Sequence, residues 1–223
     1  MVKFIEQTGE KFSLEKYFAA RHLCQQVVAR IANQACVGMN EADGQSLIKT
    51  EFQKEGITKF WHPSKFRVNS ETLKTFRELP DQNIRLAEGD LFFIDVGPIY
   101  EDHEADFGQT FILQPNQDNP YQDLAQVAQD VWQKTARQWS ENSLTGEQLY
   151  TFAANEAQMR GCQLNPLMAG HRLGDFPHAL FSKDKLSGLT FSPLTHLWVL
   201  EIHVTHENLQ RGAFFEDILT KKS

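Results

Sequence analysis

Cysteine is scarce in this chain: Cys24, Cys36 and Cys162 are the only three, and no two of them form a CxxC pair. So odd and sparse a set argues against a disulfide framework and against a zinc–thiolate site. Each is expected to be small core filler in a reducing compartment. Long apolar runs are missing too. No stretch of 18 apolar residues occurs, so no membrane-spanning helix is expected. The first residues lack the apolar segment of a secretory leader, which makes the cytoplasm the expected location. Positive charge is in deficit, with 22 Lys and Arg against 29 Asp and Glu, a formal net charge of −7. No basic cluster breaks that background, so neither nucleic acid nor an anionic membrane is an expected partner. Low-complexity segments and flexible linkers are absent as well. The 223 residues therefore read as one domain spanning 1–223, large enough to bury a core.

What is present is a regular alternation of helical and extended patterns. Residues 14–37 carry Leu14, Phe18, Val28, Ile31 and Ala35 near helical spacing, with Ser13 as cap and Gly38 suited to the helix end. Asn40 opens a second helix through Leu47, Ile48 and Phe52, ended by Gly56. Residues 58–69 turn extended and contain Trp61-His62-Pro63. A strand pair follows over 91–96 and 102–113, joined through Gly97-Pro98-Ile99-Tyr100. A helix over 120–139 takes Asn119 as its cap and proline at its first position. Another starts at Thr145, whose Thr145-Gly146-Glu147-Gln148 reads as a capping box, and stops at Gly161. Strands return over 195–206 and 213–220. The order predicts an α+β fold of two similar halves, each a helical pair followed by a portion of sheet.

Acids interrupt the apolar strands. Asp95 ends Leu91-Phe92-Phe93-Ile94, Glu201 follows Trp198-Val199-Leu200, and Glu216 follows Phe214-Phe215. Asp106 lies eleven residues beyond Asp95, on the other arm of the expected strand pair. A buried carboxylate without a partner is very costly, and two brought together force one to take up a proton unless cations neutralise them. On the 195–206 strand, the period of two places Leu197, Val199, Glu201 and His203 on one face. One such acid alone is accounted for by a buried salt bridge. Four of them together with His171 point to divalent cations.

These residues carry a family resemblance that covers nearly the whole chain. Val37-Gly38-Met39-Asn40-Glu41 is similar to the Pro-Gly-Met-Thr-Glu turn of the M24 metallopeptidases. That group has the pita-bread fold and includes methionine aminopeptidases, Xaa-Pro aminopeptidases, prolidase and creatinase. Gly89-Asp90 through Asp95-Val96-Gly97, with Asp106 eleven residues on, matches the spacing of its first two metal-binding aspartates. Gly170-His171-Arg172-Leu173-Gly174 resembles its Gly-His-Gly-Ile-Gly, and His178 its second, substrate-contacting histidine. Glu201 and Glu216-Asp217 fall where the family has its last two ligands. Three departures accompany the match. Arg172 replaces a glycine, Ile202-His203 replaces Pro-Gly, and Gln109 replaces an arginine, all of them bearing on substrate preference.

The resemblance implies a dinuclear centre of two divalent metal ions (Mn, Fe, Co or Zn) sharing a bridging hydroxide. Asp106 and Glu216 would bridge, Asp95 would chelate one ion, and His171 and Glu201 would hold the other. It further implies that Glu201 doubles as the proton acceptor, that His178 steadies the substrate carbonyl, and that His62 assists proton movement. Tyr100, Phe176 and His203 are candidates for the substrate pocket, whereas His103 and His206 are expected in solvent-facing or loop roles. The implied function is a metal-dependent exopeptidase that trims the N-terminal residue of short peptides. Trp61-His62-Pro63 slightly favours Xaa-Pro-type cleavage over removal of an initiator methionine. The absence of the extra N-terminal domain most Xaa-Pro enzymes carry weighs the other way. The alternatives are a catalytically silent pita-bread domain used for binding, and hydrolysis of a non-peptide C–N bond as in creatinase. Creatinase works without metal, so a complete ligand set argues against that branch. A homodimer is one assembly open to the chain.

Overall fold

The computed structural model describes residues 4–221. Two helices come first, α1 (Leu14–Gln34) and α2 (Glu41–Lys54). Their starts are written in the sequence. Ser13 accepts from the Lys16 amide, and Asn40 and Asp43 close a reciprocal capping box that satisfies otherwise orphaned amides. Then come β1 (Lys65–Val68), β2 (Leu91–Val96), β3 (Ile99–Tyr100), β4 (His103–Glu104) and β5 (Phe107–Ile112). The second half repeats the plan with α3 (Gln122–Asn142), α4 (Gly146–Gln158), β6 (Gln163–Leu164), β7 (His171–Arg172), β8 (Trp198–His206) and β9 (Arg211–Ile218).

The main sheet has the order β1-β2-β5-β9-β8-β6, with β7 also paired to β8, and every pairing is antiparallel. Its central seam, β5 against β9, joins the two halves. Alternation along the strands separates two faces. Phe92, Ile94, Leu200, Ile202, Ala213 and Phe215 join the large core beneath the helices, where α3 crosses β5, β8 and β9. The intervening residues, Phe93, Asp95, Glu201, Phe214 and Glu216, point to the opposite face. The site therefore sits on the side of the sheet away from the helical core.

Some boundaries differ from the sequence reading. The expected strand over 102–113 splits, because Glu101 and Asp102 both take the left-handed conformation, with φ of 47° and 62°. They form the two-residue loop of a β3–β4 hairpin in which Tyr100 pairs with His103. Helix α3 starts two residues later than expected. Asn119 accepts from the Tyr121 amide and donates to the Gly89 carbonyl, both at 2.9 Å, so it shapes the turn ahead of the helix. Cys24 and Cys162 are buried as core filler, but Cys36 is exposed. Among the described residues, no helix is long and apolar enough to cross a membrane.

Candidate metal centre

The acids come together through strand register. Lys65 pairs with Asp95, Asp95 with Gly108, Gly108 with Glu216 and Glu216 with Glu201. One row across five strands thus carries three of the expected ligands on a single face. Asp106 lies just before β5, and His171 on β7 pairs with Val199, two residues before Glu201. Glycine in the middle of the row is a steric requirement. A Cβ on Gly108 would come 2.3 Å from Phe214 Cε1 and 3.0 Å from Glu216 Oε1. Gly97 has the same function at the end of β2, where a Cβ would lie 2.3 Å from both the Trp61 indole nitrogen and the His62 ring.

The side chains converge closely. One ligand atom from each of Asp106, His171 and Glu216 lies within 4.8 Å of the others, and the same holds for His62, Asp95 and Asp106. His171 Nε2 is 2.9 Å from Asp106 Oδ2, while His62 Nε2 is 3.4 Å from Asp106 Oδ1 and 3.5 Å from Asp95 Oδ1. Glu201 belongs to the same row, but its Oε2 accepts from the Gly170 amide at 3.0 Å. The Tyr150 hydroxyl donates to the Glu201 carbonyl at 3.1 Å and fixes the strand there.

Burial dominates the electrostatics. It pushes Glu201 up to about 7, against the opposing effects of His171 and the Gly170 amide. Burial, with Asp106 and Asp95 adding to it, pushes Glu216 well above the usual carboxylate range, and Asp95 is raised chiefly by burial as well. Asp106 goes the other way: burial alone would raise it, but His171 and His62 outweigh that and hold it at about 2. For His62, burial alone would lower the value, yet Asp95 and Asp106 together raise it to about 9. Groups this close titrate as a unit.

The donor set fits divalent cations. Both Asp106 oxygens and Glu216 Oε1 are buried without a well-aligned hydrogen bond, and such groups are rare unless something else satisfies them. Several carboxylates with one or two imidazoles are the donors that Mn, Fe, Co or Zn accept.

These residues floor a cavity of about 590 Å³ whose walls include Trp61, His62, His178, Leu167, Lys65 and Lys185. A model of metallopeptidase family M24 matches residues 15–219. The chain belongs to metallopeptidase family M24. Solved structures give the matching fold. An X-Pro aminopeptidase from Thermotoga maritima superposes with a TM-score of 0.77 at 18% identity, over 98% of this chain and 61% of its own. The methionine aminopeptidase of the same organism gives 0.72 at 17% identity and covers 100% of both chains. A prolidase from Pyrococcus furiosus gives 0.75 at 16%, over 98% of this chain and 63% of that one. This chain thus spans about three-fifths of the X-Pro aminopeptidase and prolidase chains. No curated protein matches.

Within this M24 framework, the expected pocket residues Tyr100, Phe176 and His203 do not line the cavity. Tyr100, in the β3–β4 hairpin, packs against the large core. Phe176 is exposed to solvent. His203 does share a face with Glu201, but it is fully buried one step further along β8. There its Nε2 meets the Thr72 carbonyl at 2.8 Å and its Nδ1 meets Asn165 at 3.1 Å. Arg172 turns its guanidinium to the carbonyls of Ile5, Gln7 and Leu197, which commits its charge to tethering the N-terminal segment. His103, expected near solvent, is buried, with Nε2 on the Ser13 amide at 2.8 Å and Nδ1 on the Glu101 carbonyl at 2.7 Å. The sequence reading missed Glu104, a buried acid whose Oε2 lies 3.0 Å from His178 Nδ1. Its spacing of two from Asp106 was the available signal, since period two places both on one side of an extended segment.

Proposed function

We propose that this chain is a single catalytic domain that removes the N-terminal residue from short peptides, using two divalent cations. Asp95, Asp106, His171, Glu201 and Glu216 would hold them. Bound there, such ions would supply Lewis-acid polarisation and lower the pKa of water. The observation that carries this reading is the row Asp95–Gly108–Glu216–Glu201 at the floor of the cavity, with Asp106 and His171 beside it.

The chain's own residues divide the remaining work. Glu201, at the floor of the cavity, takes a proton from attacking water and returns it to the leaving amine. His178, on the cavity wall, turns Nε2 toward the substrate carbonyl and, once that nitrogen takes up a proton, donates it to the oxyanion formed there. His62, between Asp95 and Asp106, holds a proton near the scissile nitrogen. Cleavage of Xaa-Pro bonds is slightly favoured over methionine removal by the resemblance of Trp61-His62-Pro63, a segment that lines the cavity. A panel of di- and tripeptides assayed with added manganese or cobalt tests this. The expected result is turnover of Xaa-Pro peptides exceeding that of Met-Ala peptides. Release of internal fragments, or no turnover of any peptide, would remove the exopeptidase reading.

A further inference from the structure

His178 is held more firmly than a loop histidine needs to be. It sits on the segment after β7, yet two restraints from elsewhere in the chain meet on its ring. The Trp61 indole stacks on it with centroids 3.8 Å apart and planes 15° from parallel. Trp61 is fixed in turn by a 3.0 Å hydrogen bond from its Nε1 to the Ala105 carbonyl. In the plane of the ring, Glu104 Oε2 lies 3.0 Å from Nδ1. Stacking fixes the ring plane, and the carboxylate fixes its rotation within that plane. Of the two ring nitrogens, only Nε2 is left for the cavity that His178 lines.

Glu104 gives little sign of being there for stability. Its side chain is 1% exposed, its Oε1 has no hydrogen-bond partner, and no Arg or Lys pairs with it among the described residues. Burying a carboxylate for one hydrogen bond is a poor way to stabilise a hairpin. It is an effective way to set a histidine tautomer, because the group bonded to one ring nitrogen decides what the other presents. A carboxylate facing Nδ1 keeps a proton there. It also stabilises the ring when Nε2 takes up or shares a second proton.

We propose that Glu104 is a positioning residue that holds His178 in the Nδ1–H form, with Nε2 turned to the substrate. The inference rests on the peptidase reading for what Nε2 then does, but the tautomer is a property of the protein alone. Two-bond 1H–15N spectra of the metal-free protein read it directly. The expected result is a His178 ring protonated at Nδ1 in the wild type and a mixture of tautomers in Glu104→Gln, which keeps the volume but presents an amide. A wild-type ring protonated at Nε2 would overturn the proposal whether or not any peptide is cleaved.

Kinetics supply the second arm. Glu104→Gln is expected to lower kcat about 10- to 100-fold, as loss of an orienting partner does at active-site histidines, with KM moving far less. In a His178→Ala background the same substitution is expected to have almost no further effect, since there is no ring left to orient. An equal loss in both backgrounds would show that Glu104 acts on the fold and not through His178. If the wild type cleaves no peptide, the function proposed above fails while the tautomer measurement still decides this point.

Discussion

Glu201 and His62 carry protons that an isolated side chain would have lost, and the sign of the resulting pH dependence follows directly. His62 titrates at about 9 in the folded chain against an ordinary 6.5. Its contribution to stability is therefore complete below about pH 6.5 and is lost as pH rises toward 9. Glu201, raised from 4.5 to about 7, acts in the same direction over a lower range, because the folded state binds the extra proton. Asp106, lowered from 3.8 to about 2, contributes stability above 3.8 that is lost only in strong acid. The metal-free protein is thus expected to show a falling Tm from pH 6 to 9, and manganese is expected to abolish that fall by replacing protons. Thermal melts with and without metal check this, and a metal-free Tm that rises over the interval would contradict it. At this scale the site was largely legible. Asp95, Glu201 and Glu216 stand out as acids inside apolar strands. Glu104 did not stand out, because its neighbours Glu101, Asp102 and His103 make the segment read as an ordinary polar turn. His103 was misjudged for a different reason: the Ser13 amide that satisfies it lies ninety positions away.

Strand register is what turns scattered acids into a site. Asp95, Gly108 and Glu216 are aligned across β2, β5 and β9, and the middle position tolerates no side chain. Gly108→Ala would press a methyl group against Phe214 and Glu216, an overpacking that typically costs about 1–3 kcal/mol. The expected outcome is a lowered Tm together with weakened metal binding, measured by melts and by titration of the variant. Unchanged metal affinity would show that the row is less tightly set than its register implies. Elements with caps were readable, as at Ser13, Asn40 and Thr145, because a cap is a local contract between a side chain and the first turn. The β3–β4 hairpin was not, since Glu101-Asp102 lacks the Asn-Gly signature of such loops. Register was also invisible, so His203 was placed correctly on the face of Glu201 but not beyond the row. Two residues along a strand move a side chain by roughly 7 Å, which carries His203 past the row to the Thr72 carbonyl.

At the scale of the whole molecule, two halves of like plan meet at the β5–β9 seam, and the acids gather on the face turned away from the helices. The sequence order of helices, strands, helices and strands foretold the two similar halves, but not the seam between them or the face on which the acids gather. The expected fold and the family agree with the match over residues 15–219. Substrate preference was less accessible, since the cavity walls come from segments far apart in the chain, among them Trp61, Leu167, His178 and Lys185. Everything proposed about the chemistry depends on the buried acids binding cations. Calorimetric titration of the metal-free protein with manganese or cobalt, wild type beside Asp106→Asn, tests that most directly. Uptake of two ions per chain by the wild type, with binding lost in the variant, is the predicted result. No uptake by the wild type, or equal uptake by both, would contradict the account.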